Sequence, residues 1–168
     1  NALAVSPAFG ADGTVFAGTS NWLYQSIDGG VTWRRAEDDG TYVGSLLYGV
    51  SAVAVAPDYP VSGHVMAASG SALYLSENGG ITWTTQLLPG FGGPLAYSPD
   101  FSADRTAFLG GSAVWRTTDA GLTWSPVLSE GVRTLAVSSD FAADGTLFAG
   151  GLDGWLAVSD DGGSTWIT

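Results

Sequence analysis

One eight-residue pattern occurs four times along this 168-residue chain. Ser26-x-Asp28-x-Gly30-x-Thr32-Trp33 returns as Ser76-x-Asn78-x-Gly80-x-Thr82-Trp83, as Thr117-x-Asp119-x-Gly121-x-Thr123-Trp124, and as Ser159-x-Asp161-x-Gly163-x-Thr165-Trp166. The tryptophans are spaced by 50, 41 and 42 residues. A period of that size means that one structural unit is copied along the chain, which constrains the fold more than any local propensity does.

A second repeated block precedes each pattern. Leu3 to Gly18 matches Leu95 to Gly110 and Leu135 to Gly150. The copy from Val53 to Ala68 is looser: Ala56 stands where the first copy has Ser6, Tyr59 where it has Phe9, and Ser62-Gly63-His64 where it has Asp12-Gly13-Thr14. Each unit reads as four short strands, in the first copy residues 3–6, 14–17, 22–26 and 32–35, with β-branched and aromatic runs divided by turn residues. The stretch between the first two strands reads as a loop, and no segment sustains a helical period. Four strands per period of 40–50 residues select an all-β propeller of four blades, approximately 1–40, 41–90, 91–130 and 131–168, in one domain.

The chemistry of the repeated pattern is that of a turn. An Asp or Asn side chain accepts hydrogen bonds from backbone N–H groups just ahead of it. The paired glycines Gly29-Gly30, Gly79-Gly80 and Gly162-Gly163 permit left-handed backbone angles. The tryptophan is expected to bury its ring and fasten the outermost strand. Asp28, Trp33, Asn78, Trp83, Asp119, Trp124, Asp161 and Trp166 are therefore assigned structural roles.

The motif resembles the Asp-box of the bacterial neuraminidase (BNR) repeat, and the whole unit is similar to the BNR/sortilin type of blade. The resemblance spans essentially the entire chain and implies an Asp-box at each turn between third and fourth strands, on the outer rim. Asn78 in the second box and Thr117 in the third depart from the pattern but keep its hydrogen-bonding chemistry. The resemblance does not select a function, since such propellers serve sialidases, endoglucanases, sorting receptors and photosynthetic assembly factors.

Composition narrows the choice. Sixteen acidic residues against five arginines and no lysine give a net charge of −11, which repels phosphate backbones and anionic lipid. Nucleic acid is not expected as a partner, and no apolar run approaches the roughly 20 residues of a membrane-spanning helix. With no cysteine, disulfides and thiolate chemistry are excluded. No cofactor or metal is expected.

Positions that differ among the copies carry what is particular to this chain. The longest connection, residues 37–49, combines Glu37, Asp38 and Asp39 with Tyr42 and Tyr48. Carboxylates beside aromatics suit a sugar or a hard cation, and equally a solvated loop. Trp22 and Trp155 occupy equivalent positions where the other copies have Ala72 and Ala113. A tryptophan that two blades lack is not needed to build a blade, so it reads either as a stacking platform or as local packing. Asp38, Asp39, Tyr42, Tyr48, Trp22 and Trp155 form the candidate binding set. His64 is the sole histidine, which provides neither a triad nor a zinc site.

Catalysis by a glycoside hydrolase needs two carboxylates flanking the bond. Most acids here occupy repeated turn positions, and a sialidase would need an arginine cluster that Arg34, Arg35, Arg105, Arg116 and Arg133 do not make. The reading is a non-catalytic binding or scaffolding module for a protein or glycan, extracellular or at the cell surface. The alternatives are part of a carbohydrate-active propeller and an assembly factor for a membrane complex. Three arrangements satisfy four in-phase units: a piece of a longer propeller, a four-bladed ring, or a homodimer completing an eight-bladed ring.

Overall fold

The computed structural model of the chain describes residues 2–36, 49–70, 72–87, 90 and 92–168. It is all-β, with four antiparallel sheets, each a meander in chain order. The first sheet holds β1 (Ala2–Val5), β2 (Val15–Gly18), β3 (Leu23–Ser26) and β4 (Arg34–Arg35). The second holds β5 (Ala52–Val55), β6 (Val65–Ser69), β7 (Ala72–Ser76) and β8 (Thr84–Leu87). The third holds β9 (Leu95–Tyr97), β10 (Ala107–Leu109), β11 (Val114–Thr117) and β12 (Ser125–Leu128). The fourth holds β13 (Val132–Val137), β14 (Leu147–Gly151) and β15 (Leu156–Ser159), and Val158 bridges Ile167 where a fourth strand begins. These four sheets are the four expected blades.

One local expectation is corrected. The stretch between first and second strands is a single helical turn, not an irregular loop: α1 (Phe9–Asp12), α2 (Tyr59–Ser62), α3 (Phe101–Asp104) and α4 (Phe141–Asp144). Four residues are too few to display a helical period in sequence. Each turn ends on a left-handed residue, Gly13, Gly63, Arg105 or Gly145, whose N–H returns to the carbonyl of the helix's first residue. In the first blade the Asp12 carboxylate accepts from the Ser6 hydroxyl at 2.5 Å and from the Thr14 N–H at 2.8 Å, which fixes both strands to the turn. Asp104 and Asp144 repeat this. The second blade, lacking both Ser and Asp, rebuilds the clasp: the Ser62 hydroxyl donates to Asp58 and accepts from the His64 N–H.

The chain falls into two compact units, Asn1–Gly92 and Gly93–Thr168, each of two blades. In the first unit, Phe16 on β2 is fully buried and meets the rings of Tyr59 and Trp83 edge-on, at 6.1 and 6.3 Å. Leu23, Val50, Val65, Ala67 and Tyr74 complete that core, with Val53 and Val55 packed against it. The same joint is polar at its rim, where the buried Gln25 amide donates to the Gly79 carbonyl at 2.7 Å and accepts from Arg34. A Cβ on Gly80 would lie 2.6 Å from the Phe16 ring, so glycine is required there for room as well as for its φ of +84°. In the second unit Phe108 plays the part of Phe16. It meets Phe141 edge-on at 5.6 Å within a core of Val114, Val132, Leu147 and Ala149, with Trp166 packed against it.

The expectation that every motif tryptophan is buried is also corrected. Trp83 is 2% exposed and Trp33 is 43% exposed. Trp83 packs on Phe16 of the blade that precedes it, and Trp166 packs on the Phe108 core in the same way. Trp33 is not part of either of these cores.

Candidate functional site: the two ends of the blades

Each blade has two ends with different chemistry. One end carries the Asp-box, the hairpin between third and fourth strands. In the first box the Asp28 carboxylate accepts from the Ser26 hydroxyl at 2.8 Å and from the Thr32 N–H at 2.8 Å, and the Ser26 oxygen in turn accepts from the Gly30 N–H. The Trp33 indole N–H donates to the Gly30 carbonyl at 3.0 Å. The third and fourth boxes repeat these bonds around Asp119 and Asp161. In the second box Asn78 keeps the geometry and reverses one polarity: its amide donates to the Thr82 hydroxyl at 2.8 Å, whereas the Thr32 hydroxyl donates to Asp28.

These bonds set the electrostatics. The Thr32 hydroxyl, then its N–H, then the Ser26 hydroxyl hold the Asp28 pKa down at about 2, from an ordinary 3.8. The Thr165 N–H and hydroxyl and the Ser159 hydroxyl hold Asp161 at about 2 as well. Burial pushes Asp119 up, but bonds from Thr123 and Thr117 outweigh it and leave its pKa lowered. The Ser138 hydroxyl and the Thr146 N–H lower Asp144 likewise. A carboxylic acid that donates a proton near neutral pH needs the opposite shift. The bonds of each box aspartate also fall within its own hairpin, as a structural clasp requires.

The other end of each blade carries the loop between second and third strands and the connection to the next blade. In the first blade, Thr19 organises that loop: its hydroxyl donates to the Trp22 carbonyl at 2.8 Å and accepts from the N–H groups of Asn21 and Trp22. Val50, which leads into the second blade, donates its N–H to the Thr19 carbonyl at 3.0 Å. Trp22 is half-buried, and the Arg35 guanidinium lies 4.3 Å from its ring centre. A groove of about 450 Å³ borders the same loop, lined by Leu3, Ala17, Gly18, Thr19 and Ser20. In the fourth blade Trp155 is half-buried, packs against the Phe108 core, and sits close against Gly151, where a Cβ would lie 2.0 Å from its ring.

Of the candidate binding residues, Trp22 and Trp155 thus lie at equivalent blade ends, opposite the boxes of their own blades. Asp38, Asp39, Tyr42 and Tyr48 lie outside the described residues. Arg35 was not in the candidate set, yet it covers one face of Trp22. Hairpin register, seen only in the structure, sets this stack: Arg35 pairs with Tyr24, which shares a strand face with Trp22 two residues earlier. Among the described residues, no group of three or more His, Asp or Glu is placed to hold a metal ion, and no helix is long and apolar enough to cross a membrane.

Neither protein-family comparison nor comparison with curated sequences finds a match. Solved structures do resemble the chain. The GH74 xyloglucanase from Xanthomonas campestris matches 99% of it with a TM-score of 0.75 and 21% identity. An ancestral GH74 enzyme matches 98% with a TM-score of 0.76 and 17% identity. YCF48 bound to D1 peptide matches all of it with a TM-score of 0.61 and 18% identity. The chain spans 29% and 23% of the two GH74 chains and 52% of the YCF48 chain. At such identities the likeness establishes the fold alone, and that fold is a run of four β-propeller blades.

Proposed function

We propose that the chain is a non-catalytic propeller module that holds a protein or glycan partner at the blade ends opposite the Asp-boxes, in an extracellular setting. The observation that carries this reading is the division of labour within each blade. The recurring aspartates are saturated by donors of their own turns and held ionised, while the residues that vary between blades, Trp22 with Arg35 and Trp155, lie at the other end. A strongly acidic surface favours a neutral or basic partner. The likeness to YCF48, solved with a peptide bound, supports a protein partner and keeps a role in assembling a larger complex as one form of it. The likeness to GH74 enzymes supports a second reading, in which the chain is part of a carbohydrate-active propeller.

Xyloglucan separates the two. Incubation of xyloglucan with the protein is expected to release no reducing ends above the no-protein control. Binding to a glycan array or a displayed-peptide library is expected to fall on Trp22→Ala with the melting temperature little changed. Sustained release of reducing ends in proportion to protein concentration would establish the second reading instead.

A further inference from the structure

The second Asp-box differs from the other three in its reactivity as well as in its bonding. Asn78 is followed by Gly79, and this is the only Asn-Gly pair in the chain, whose other asparagines precede Ala2 and Trp22. In such a pair the backbone nitrogen of the glycine readily attacks the side chain before it, because glycine bears no side chain to obstruct the approach. Asp28 and Asp161 also precede glycine, but their carboxylates are held ionised, with pKa values of about 2, and an ionised carboxylate accepts a nucleophile poorly. The primary amide of Asn78 is neutral and can release ammonia.

In the folded box every participant in that reaction is held. The nucleophile is the Gly79 nitrogen. Its N–H donates to the Gly63 carbonyl at 2.9 Å, and the two turns pack so closely that a Cβ on Gly63 would lie 2.7 Å from that nitrogen. The acceptor is the Asn78 carbonyl, which takes hydrogen bonds from the Ser76 hydroxyl at 3.0 Å and the Thr82 N–H at 2.9 Å. The leaving group is the Asn78 amide, which donates to the Thr82 hydroxyl at 2.8 Å. The Gly79 carbonyl is fixed in turn by the Gln25 amide at 2.7 Å and the Tyr59 hydroxyl at 3.2 Å. Bringing the Gly79 nitrogen onto Cγ of Asn78 requires rotation about the bonds of Asn78, and such rotation breaks these contacts.

We infer that Asn78–Gly79 is a self-modification site gated by the second Asp-box, shut while the box is closed and reactive once it opens. The Gly79 nitrogen loses its proton and bonds to Cγ of Asn78. The bond from Cγ to the amide nitrogen breaks, and ammonia leaves a cyclic succinimide. Water then opens the ring. Addition at the side-chain carbonyl gives aspartate at position 78. Addition at the backbone carbonyl gives isoaspartate, with the main chain running through the former side chain. Aspartate is the residue of the other three boxes, so that product closes the box again with one more negative charge. Isoaspartate adds a carbon to the main chain between Ser76 and Gly79, so the Gly79 N–H no longer falls on Gly63 while the box bonds are kept. The reaction is one-way, and it records each opening of the box.

Peptide mapping by mass spectrometry, on the 168-residue chain held at neutral pH with and without denaturing urea, tests this. Conversion at position 78 is expected to be about tenfold or more faster in urea, because the folded box must first open. Thr82→Val keeps the N–H and removes the hydroxyl that holds the leaving amide, and is expected to speed conversion in the folded protein about fivefold. Thr32→Val makes the same change in the first box and is expected to leave the rate at position 78 unchanged. After return to buffer, the isoaspartate product is expected to melt below the wild type and Asn78→Asp to melt with it. Equal rates with and without urea would overturn the gate, and no conversion at position 78 in urea would overturn the site. A Thr82→Val rate no higher than that of Thr32→Val would overturn the assignment of the gate to the second box.

Discussion

At the residue scale, the Asp-box shows how one geometry is met by two chemistries. Asp28 and Asn78 occupy the same place and each accepts from the threonine N–H four residues on, at 2.8 and 2.9 Å. Only one of them titrates. A carboxyl whose folded pKa is lowered contributes stability that is complete above its ordinary value of 3.8 and is lost as pH falls through about 2. In an NMR titration the amide protons of Thr32 and Thr165 are therefore expected to move with apparent pKa values near 2, with no such step at Thr82. A step near the ordinary carboxylate value at Thr32, or any carboxylate-like step at Thr82, would contradict the assignment. The hydrogen-bonding residues of the box were legible in the sequence because a turn needs short polar side chains and glycines at fixed offsets. The Arg35–Trp22 stack was hidden because it is set by strand register, which the motif alone does not display.

At the element scale, the strands and their order are set by the repeat, and the helical turns are not. A strand announces itself by alternation and by β-branched and aromatic content. A single helical turn is specified by hydrogen bonds, here Asp12 to Ser6 and Thr14, which sequence shows only as one more Asp-Gly. Tryptophan burial was likewise illegible, because four identical motif positions differ only in what lies against them. That difference has a stability consequence. Trp83→Ala removes a ring seated on Phe16 and is expected to cost about 3 to 5 kcal/mol. Trp33→Ala, at a ring 43% exposed, is expected to cost about 1 kcal/mol or less. Urea unfolding of the two variants checks this, and equal losses would show that the two rings are equally packed.

At the scale of the whole molecule, a period of four strands was enough to reach the propeller blade, and the likeness to GH74 enzymes and YCF48 agrees with it. The binding residues were less legible, because a site on a repeat protein lies in the departures from the repeat, and departures carry no pattern of their own. The recurring aspartates are clasps of separate hairpins, and every functional assignment made above depends on that. Thermal unfolding of Asp28→Ala, Asp119→Ala, Asp161→Ala and the triple variant tests it most directly. Each substitution is expected to lower the melting temperature, and the three losses are expected to add, since the hairpins share no bonding partners. Melting temperatures unchanged or raised would contradict it, because removing a carboxylate held for chemistry rather than for folding leaves stability intact or increases it.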